Sequence, residues 1–200
     1  MTGTIILAAG ASTRLGEPKQ CLAFGGKTLL QKALQAAGES CKNTVVVLGA
    51  HAKSILPIIE KEAVHVVHNE HWQEGMASSI RKGLEALLRL APQTTEVIVM
   101  LCDQPFADTS LLNRLIAEKN RTGKGIIASA YEDTAGVPVL FDKKFFPELL
   151  SLRGREGAKK LLSRHPEALT TIPFPLGAID IDTAADYQAL LHQRERHHKF

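Results

Sequence analysis

The chain has 200 residues, of which 44% are hydrophobic and 22% are charged, and it carries a formal net charge of +3. These are ordinary values for a globular protein, and so small a charge does not by itself indicate binding to nucleic acid. No stretch approaches the ~18 to 20 apolar residues of a membrane-spanning helix. The three cysteines form no CxxC pair, which favours reduced thiols. We therefore expect one soluble, cytoplasmic domain over residues 1–200, with neither nucleic acid nor a membrane as a partner.

Short apolar runs alternate with helical patterns along the first half of the chain. The runs are rich in Val and Ile and are typical of strands covered on both faces; they are TIILAA (4–9), TVVVLG (44–49), VHVVH (64–68), EVIVMLCD (96–103) and GIIASA (125–130). Apolar residues at helical spacing predict helices at 28–37, 77–90 and 109–120, and Pro57 predicts a short or kinked helix within 51–62. This order predicts an α/β fold with a mostly parallel sheet, helices on both faces and a ligand crevice beyond the carboxyl ends of the strands.

The second half of the chain is less regular. GVPVLF (136–141) predicts a strand in which Pro138 marks a sheet edge or a bulge, and LTTIPFP (169–175) is extended. GREGAKKLLSRH (154–165) predicts a loop that enters a helix. AIDIDTAADYQALLHQ (178–193) predicts a short strand, an acidic turn and a helix with Thr183 as its N-cap.

The stretch LAAGASTRLGEPKQ (7–20), here called the glycine loop, follows the first strand. It lacks the Rossmann fingerprint, and GGKT (25–28) is no Walker loop because Cys21 stands where that motif requires glycine. The small residues let backbone N–H groups approach an anion. Arg14 can bind phosphate through two N–H groups, and Lys19 supplies a compact charge. The loop therefore predicts a site for an acidic small molecule; a solvated loop with two surface cations is the alternative.

Two acidic positions suit a divalent cation. Asp103 follows a buried strand at its carboxyl end, where ligands bind in such sheets. Mg²⁺ takes one or two protein carboxylates together with phosphate oxygens. In DIDTAAD (180–186), strand alternation puts Asp180 and Asp182 on one face, with Ile181 directed to the core. A turn or helix-capping role for Asp103 before Pro105 is the simpler alternative.

The glycine loop resembles the first loop of nucleotidyltransferases, L-A-[AG]-G-x-[SG]-x-R-[ML]-G-x-x-K, at every fixed position. The similarity is strongest to the MobA-like and MocA-like family, and in particular to the molybdenum cofactor cytidylyltransferases. It extends over nearly the whole chain, through NEHWQEGMASSIRKGL (69–84), LCDQPF (101–106), GVPVLF (136–141), GREGA (154–158) and DIDTAADYQAL (180–190). The resemblance implies one domain with a three-layer, Rossmann-like nucleotide-diphospho-sugar transferase fold and a mixed sheet. Residues 1–105 would bind the nucleotide and residues 106–195 the acceptor.

The resemblance also implies the reaction and its residues. CMP would pass from CTP to the phosphate of molybdenum-bound molybdopterin, with Mg²⁺ as cofactor and pyrophosphate as product. Lys19, Arg14 and Asp103 would be catalytic, and Asp103 and Asp182 would hold the metal. The nucleotide-binding residues implied are Leu7, Ala8, Ala9, Gly10, Ser12, Arg14, Lys19, Asn69, Gly75, Ser78 and Ser79. The chain departs from the family pattern in reading DTAAD for D-T-P-E-D, and in carrying Arg155 where many relatives have an acid.

Several alternatives stay open. LAAG together with GMxSS favours cytidine over guanosine, but GTP, or a sugar or alcohol phosphate acceptor, is compatible with the same chemistry. A non-catalytic nucleotide-binding or cofactor-carrier protein is a different class of function. The labile product of the cytidylyltransferase reaction would be handed to a molybdoenzyme or its chaperone. His65, His68 and His71 do not predict zinc, because residues 65 and 68 of a strand face opposite sides.

Overall fold

A computed structural model describes residues 1–197, and the side chains of residues 1–192. Nine strands are present in this part of the chain: β1 (Thr2–Ala8), β2 (Ala23–Phe24), β3 (Lys27–Thr28), β4 (Asn43–Leu48), β5 (His65–His68), β6 (Glu96–Leu101), β7 (Ile126–Tyr131), β8 (Thr134–Asp142) and β9 (Leu169–Pro173). The helices are α1 (Leu29–Ser40), α2 (Ala52–Ile59), α3 (Met76–Leu90), α4 (Thr109–Thr122), α5 (Phe146–Ser151), α6 (Lys159–Arg164) and α7 (Ala184–His197). The predicted strands and helices of the first half are therefore confirmed, with small changes at their ends.

Seven of the strands form one mixed sheet in the order β5-β4-β1-β6-β8-β7-β9. Every neighbouring pair is parallel except the two pairs made by β8, which runs antiparallel to β6 and to β7. β1 and β6 are adjacent at the middle of this order, so their carboxyl ends open side by side on the same edge. The short β2 and β3 form a separate antiparallel hairpin.

Both faces of the sheet are covered, which makes the three layers that the resemblance implies. Alternate residues of β1 enter opposite cores: Ile5 packs in the core that includes α3 and α5, and Ile6 packs in the core that includes α1 and α4. Both side chains are fully buried. This two-sided burial is the reason that the strand runs are continuously apolar instead of alternating.

Local sequence signals account for several element ends. Thr28 caps α1 in a reciprocal arrangement with Gln31, so GGKT does begin a helix as predicted. Thr183 accepts a hydrogen bond from the backbone of Asp186, and the Asp186 carboxylate accepts one from Thr183 in return, which confirms Thr183 as the cap of α7. The N-cap of α4 is Asp108, one residue before the predicted start.

Two expectations for the second half need correction. β8 is paired on both sides and is not a sheet edge; the bulge that Pro138 also predicted is present, as a register shift opposite Ala128 and Ser129. The short strand predicted within residues 178–182 does not form. Both edges of β6 are already paired, with β1 and β8, so the segment cannot join the sheet there. Its Ile181 N–H donates instead to the carbonyl oxygen of Asp103, just beyond the end of β6, at 3.2 Å. Ile181 is nevertheless buried, as expected.

The thiols of Cys21, Cys41 and Cys102 are free. Burial and the neighbouring Asp103 carboxylate raise the pKa of the Cys102 thiol to about 12, so this buried sulfur is not a reactive thiolate at neutral pH. Within the described residues, no helix is both long and apolar enough to cross a bilayer.

Candidate active site

A cavity of about 340 Å³ lies under the glycine loop, at the carboxyl ends of β1 and β6. Its walls contain eight residues that the sequence assigned to nucleotide or metal binding: Leu7, Ala8, Ala9, Gly10, Lys19, Gly75, Ser79 and Asp103. A Cβ added to Gly10 would meet no protein atom within 4 Å, so the space beside this glycine is open to a ligand. Trp72 contacts the core and also lines the cavity.

The glycine loop presents backbone N–H groups that no protein acceptor uses. Among the residues that the structure describes, no hydrogen bond engages the N–H groups of Gly10, Ala11, Ser12 or Thr13. Ser12 has a φ of 50°, in the left-handed region. Successive N–H groups near such a residue form a concave site for anions. Ser12 Oγ also accepts from the backbone of Lys19 at 3.1 Å, which ties the end of the loop to its middle.

Lys19 lies between two carboxylates from distant parts of the chain. Its Nζ donates to Asp103 Oδ2 at 2.5 Å and to Asp182 Oδ1 at 3.0 Å. Arg14 Nη2 donates to the other oxygen of Asp182 at 2.7 Å. Lys19 and Asp103 are largely buried, with side-chain exposures of 16% and 9%, whereas the Arg14 side chain is 69% exposed. The structure thus brings together the four charged residues that the sequence singled out.

The electrostatics of this cluster follow from burial and charge. Burial acts to lower the pKa of Lys19, but the Asp103 carboxylate outweighs it and the pKa is raised, so the ammonium stays charged. Burial acts to raise the pKa of Asp182, and hydrogen bonds from Lys19 and Arg14 lower it below its usual value. Burial, with the charges of Asp103 and Asp182, raises the pKa of Asp180. Asp180 is therefore close enough to the other two carboxylates for their charges to act on it.

The donor set fits a divalent cation. Asp103 Oδ1 is buried and has no hydrogen-bond partner among the described residues, so this carboxylate oxygen is available to a ligand. Carboxylate oxygens are hard ligands that suit Mg²⁺ and Mn²⁺. In the described residues no cluster of three or more His, Cys, Asp or Glu side chains is arranged to hold a metal. Asp103 and Asp182 would thus need oxygens from another molecule to complete the coordination, as phosphates do.

Asn69 and Ser78 lie behind the cavity wall and do not line it. Asn69 Nδ2 donates to Ser78 Oγ at 2.8 Å and to Ser79 Oγ at 3.0 Å, and all three side chains are buried. The Ser78 hydroxyl lies 2.9 Å from the carbonyl oxygens of His71 and Gly75, and it donates its one proton to either of them. This network orients Ser79, which does line the cavity. A direct contact of Asn69 or Ser78 with a nucleotide stays a prediction.

Gly75 connects this wall to the loop at 154–158. Its φ is 114°, and an added Cβ would lie 2.5 Å from the carbonyl oxygen of Gly154 and 3.0 Å from Cα of Arg155. That carbonyl accepts the N–H of Ala77 at 3.2 Å, at the unsatisfied start of α3. Only glycine allows both this conformation and this contact.

Sequence reasoning missed two glutamines that directly follow predicted site residues. Gln20 is 1% exposed, and its Nε2 donates to the carbonyl oxygens of Ala8 and Gly10 at 2.9 and 3.2 Å. Gln104 Nε2 donates to the carbonyl oxygens of Val137 and Gly177 at 3.2 and 3.1 Å. Their positions next to Lys19 and Asp103 could have indicated this role, because a polar side chain beside a site residue often helps to orient the site.

His51 is a third residue that the sequence did not single out. Its Nε2 lies 2.8 Å from the carbonyl oxygen of Ala11, and since that oxygen can only accept, the imidazole donates. The histidine lies 40 positions along the chain from the loop that it contacts. No sequence pattern indicated this contact.

Comparison with known proteins agrees with this geometry. Residues 4–169 match the MobA-like NTP transferase domain. Nicotine blue oxidoreductase of Paenarthrobacter nicotinovorans is 32% identical over 199 residues, which cover 94% of this chain and 95% of that protein. Molybdenum cofactor cytidylyltransferase of Escherichia coli is 21% identical over 184 residues and 92% of each chain.

Solved structures show the same fold. Rv0371c of Mycobacterium tuberculosis superposes with a TM-score of 0.81 at 31% identity, covering 96% of this chain and 97% of that one. A complex of Rv0371c with manganese superposes with a TM-score of 0.74 at 30% identity, over 96% and 98% of the two chains. The domain match over most of the chain and the similarity to a full-length relative show that this protein belongs to the MobA-like NTP transferase family, whose chemistry is nucleotidyl transfer.

Proposed function

We propose that the protein transfers CMP from CTP to the phosphate of an anionic acceptor, with molybdenum-bound molybdopterin as the first acceptor to test. The observation that carries this proposal is the cluster of Lys19, Asp103 and Asp182 beside a cavity walled by the glycine loop. A buried ammonium, paired carboxylates and unoccupied backbone N–H groups are the parts that phosphate transfer needs. In the reaction an acceptor oxygen bonds to the α-phosphorus, the bond to the bridging oxygen breaks, and pyrophosphate leaves.

The residues of the chain act mainly by positioning and by charge. The N–H groups of the glycine loop and the exposed Arg14 would bind the triphosphate. Lys19 would stabilise the charge that develops on the phosphate oxygens, because its ammonium is buried and stays protonated. Ser79 and Gly75 would border the base and ribose, since both line the cavity.

Asp103 and Asp182 would hold the metal that the proposal requires. The free Oδ1 of Asp103 supports this assignment, as does the manganese complex of the 30%-identical Rv0371c. When bound, a divalent cation supplies Lewis-acid stabilisation of a phosphate group. Lys19 Nζ binds Oδ2 of Asp103 and Oδ1 of Asp182, which leaves Oδ1 of Asp103 for the cation.

We assign residues 1–105 to the nucleotide and residues 106–195 to the acceptor. The loop at 154–158 supports this division, because Gly154 and Arg155 pack directly against Gly75 in the cavity wall. Arg155 is exposed. A cation at this rim attracts a phosphorylated acceptor, which the acidic residue that many relatives carry at this position would not do. Hand-over of the product to a molybdoenzyme or its chaperone is part of the same proposal.

Release of pyrophosphate is the direct test. The full chain is incubated with each of CTP, GTP, ATP and UTP, with Mg²⁺ or Mn²⁺, and with molybdenum-bound molybdopterin or a sugar phosphate as acceptor. We expect release only with CTP, a divalent cation and the molybdopterin acceptor. Release of pyrophosphate with GTP or with a sugar phosphate instead would show that the protein catalyses a different nucleotidyl-transfer reaction of the same family. Nucleotide binding without turnover for any pair would make it a carrier.

Similarity over nearly full length to nicotine blue oxidoreductase favours a second candidate, an oxidoreductase that uses the same cavity. To test this candidate, nicotine blue is offered with NADH or NADPH as the reductant, and its reduction is measured as the loss of colour. Dye reduction in the absence of metal, together with no pyrophosphate release from any nucleotide, would favour this candidate over nucleotidyl transfer.

A further inference from the structure

Four carbonyl groups of the glycine loop are held by Gln20, at the end of the loop, and by two residues that follow β4. Gln20 binds the carbonyl oxygens of Ala8 and Gly10, and the backbone N–H of Ala50 binds that of Ala9 at 3.1 Å. The fourth carbonyl, of Ala11, is bound by His51 Nε2 at 2.8 Å. Each of these bonds also orients an N–H group, because the C=O and N–H of one trans peptide point in opposite directions.

The Ala11–Ser12 peptide is the unit that His51 controls. With the Ala11 carbonyl directed to the imidazole, the N–H of Ser12 must point away from His51. Ala11 lines the candidate active-site cavity and His51 does not. His51 instead lines a second cavity, together with His68. Ser12 is also a non-glycine residue with positive φ, and its hydroxyl accepts from the Lys19 backbone, so this peptide connects the anion-binding N–H groups to Lys19.

His51 is well placed to act as a fixed support. Its carbonyl accepts the N–H groups of Ser54 and Ile55, so it begins α2. Gly49, two residues before it, packs so closely that an added Cβ would lie 2.6 Å from the Ala9 carbonyl oxygen. The segment just after β4 and the glycine loop are therefore in direct backbone contact, so the backbone that carries the imidazole is held next to the loop.

We propose that His51 is a positioning residue, which fixes the Ala11–Ser12 peptide so that the glycine loop binds the oligophosphate end of a nucleotide. This inference rests on the proposed nucleotide site, but it concerns oligophosphate binding and not the identity of the base or the acceptor. Because the bond acts on the bound ground state, losing it should raise the KM for the nucleotide and leave kcat nearly unchanged.

Binding of inorganic tripolyphosphate to the full chain tests the inference without any turnover. Trp72 is the single tryptophan of the chain and lines the cavity, so its fluorescence reports binding there, with calorimetry as the second readout. His51→Ala should bind tripolyphosphate and CTP about three- to tenfold more weakly, the usual worth of one hydrogen bond. His51→Gln, whose amide can donate to the same carbonyl, should recover most of the affinity. His68→Ala, on the wall of the same second cavity, should bind as the wild type does.

The outcomes separate this inference from the function on which it rests. Wild-type affinity in His51→Ala would overturn the positioning role and leave the nucleotide site intact. Equal weakening in His51→Gln or in His68→Ala would also overturn it, because general charge or folding effects would then explain the loss. A wild-type protein that binds neither tripolyphosphate nor CTP would overturn the proposed function together with the inference. Thermal unfolding of each variant shows whether the fold is retained.

Discussion

Lys19 and Asp103 are 84 positions apart in the chain, yet the Lys19 ammonium donates to Asp103 Oδ2 at 2.5 Å in a largely buried site. The pair joins the end of the first loop to the carboxyl end of β6. The pairing offsets the cost of burying either side chain alone. The first two predictions concern the two members of this pair.

Replacing Lys19 by Ala should lower kcat by roughly 10² or more, the usual cost of losing one preorganised contact to developing charge. Pyrophosphate release at saturating CTP measures the effect. Lys27→Ala is the matched control, because Lys27 is exposed and binds Gln35 on the surface. A Lys19→Ala variant with wild-type kcat would show that the ammonium is not catalytic.

Asp103→Ala should abolish turnover and leave the fold intact. The Asp103 carboxylate has a buried oxygen with no protein partner, and the proposal gives that oxygen to the metal. Binding of Mn²⁺ in the presence of CTP, followed by electron paramagnetic resonance, should weaken in parallel with activity. Asp133→Ala, at an exposed position, should change neither. Near wild-type turnover in Asp103→Ala would disprove the metal assignment.

Two helical glycines should respond in opposite ways to alanine. Gly83 lies in α3 against β1, and an added Cβ would sit 2.5 Å from Ile5 Cγ2, so Gly83→Ala should lower the free energy of unfolding by about 1–3 kcal/mol. Gly38 lies in α1 with no atom within 4 Å of an added Cβ. Gly38→Ala should raise the free energy of unfolding by about 0.5–1 kcal/mol, because alanine has a higher helix propensity than glycine. Urea unfolding measures both, and equal effects would contradict the packing described for α3.

His165 should make stability depend on pH. Its imidazole lies 2.9 Å from the Glu148 carboxylate, and the hydrogen bond to Glu148 raises the pKa of His165 above its ordinary value. The raised pKa adds stability that is fully present below about pH 6.5, the pKa of histidine in the unfolded chain. That stability is lost as the pH rises through the pKa of His165 in the folded protein.

The difference in unfolding free energy between the wild type and His165→Gln should therefore shrink as pH rises from about 6 to 8. Denaturant unfolding across that range measures it. His68→Gln, at an exposed position on β5, serves as the control. A difference that stays constant with pH would mean that His165 and Glu148 do not form a charged pair.

Much of the architecture was predictable from local patterns. Continuous Val- and Ile-rich runs predicted the strands, because a strand buried on both faces has no polar side. Helical periodicity predicted α1, α3 and α4. The position of Asp103 at the end of such a run, together with two cations in a loop of small residues, was enough to predict where an anionic ligand and its metal would lie. That prediction needed only the rule that parallel strands open their carboxyl ends on one edge.

Other features depended on contacts between distant segments. No local sequence pattern indicated three of these features. They are the absence of a strand at 178–182, the antiparallel pairing of β8 on both sides, and the hydrogen bond from His51 to Ala11. Periodicity in a sequence reports which face of an element is buried, so it determined the elements and the end of the sheet where the candidate site lies. Which side chain reaches which partner depends on how separate elements pack. Only the tertiary structure therefore decided that Lys19 binds both Asp103 and Asp182. It likewise decided that His51, which follows β4, binds the Ala11 carbonyl of the glycine loop.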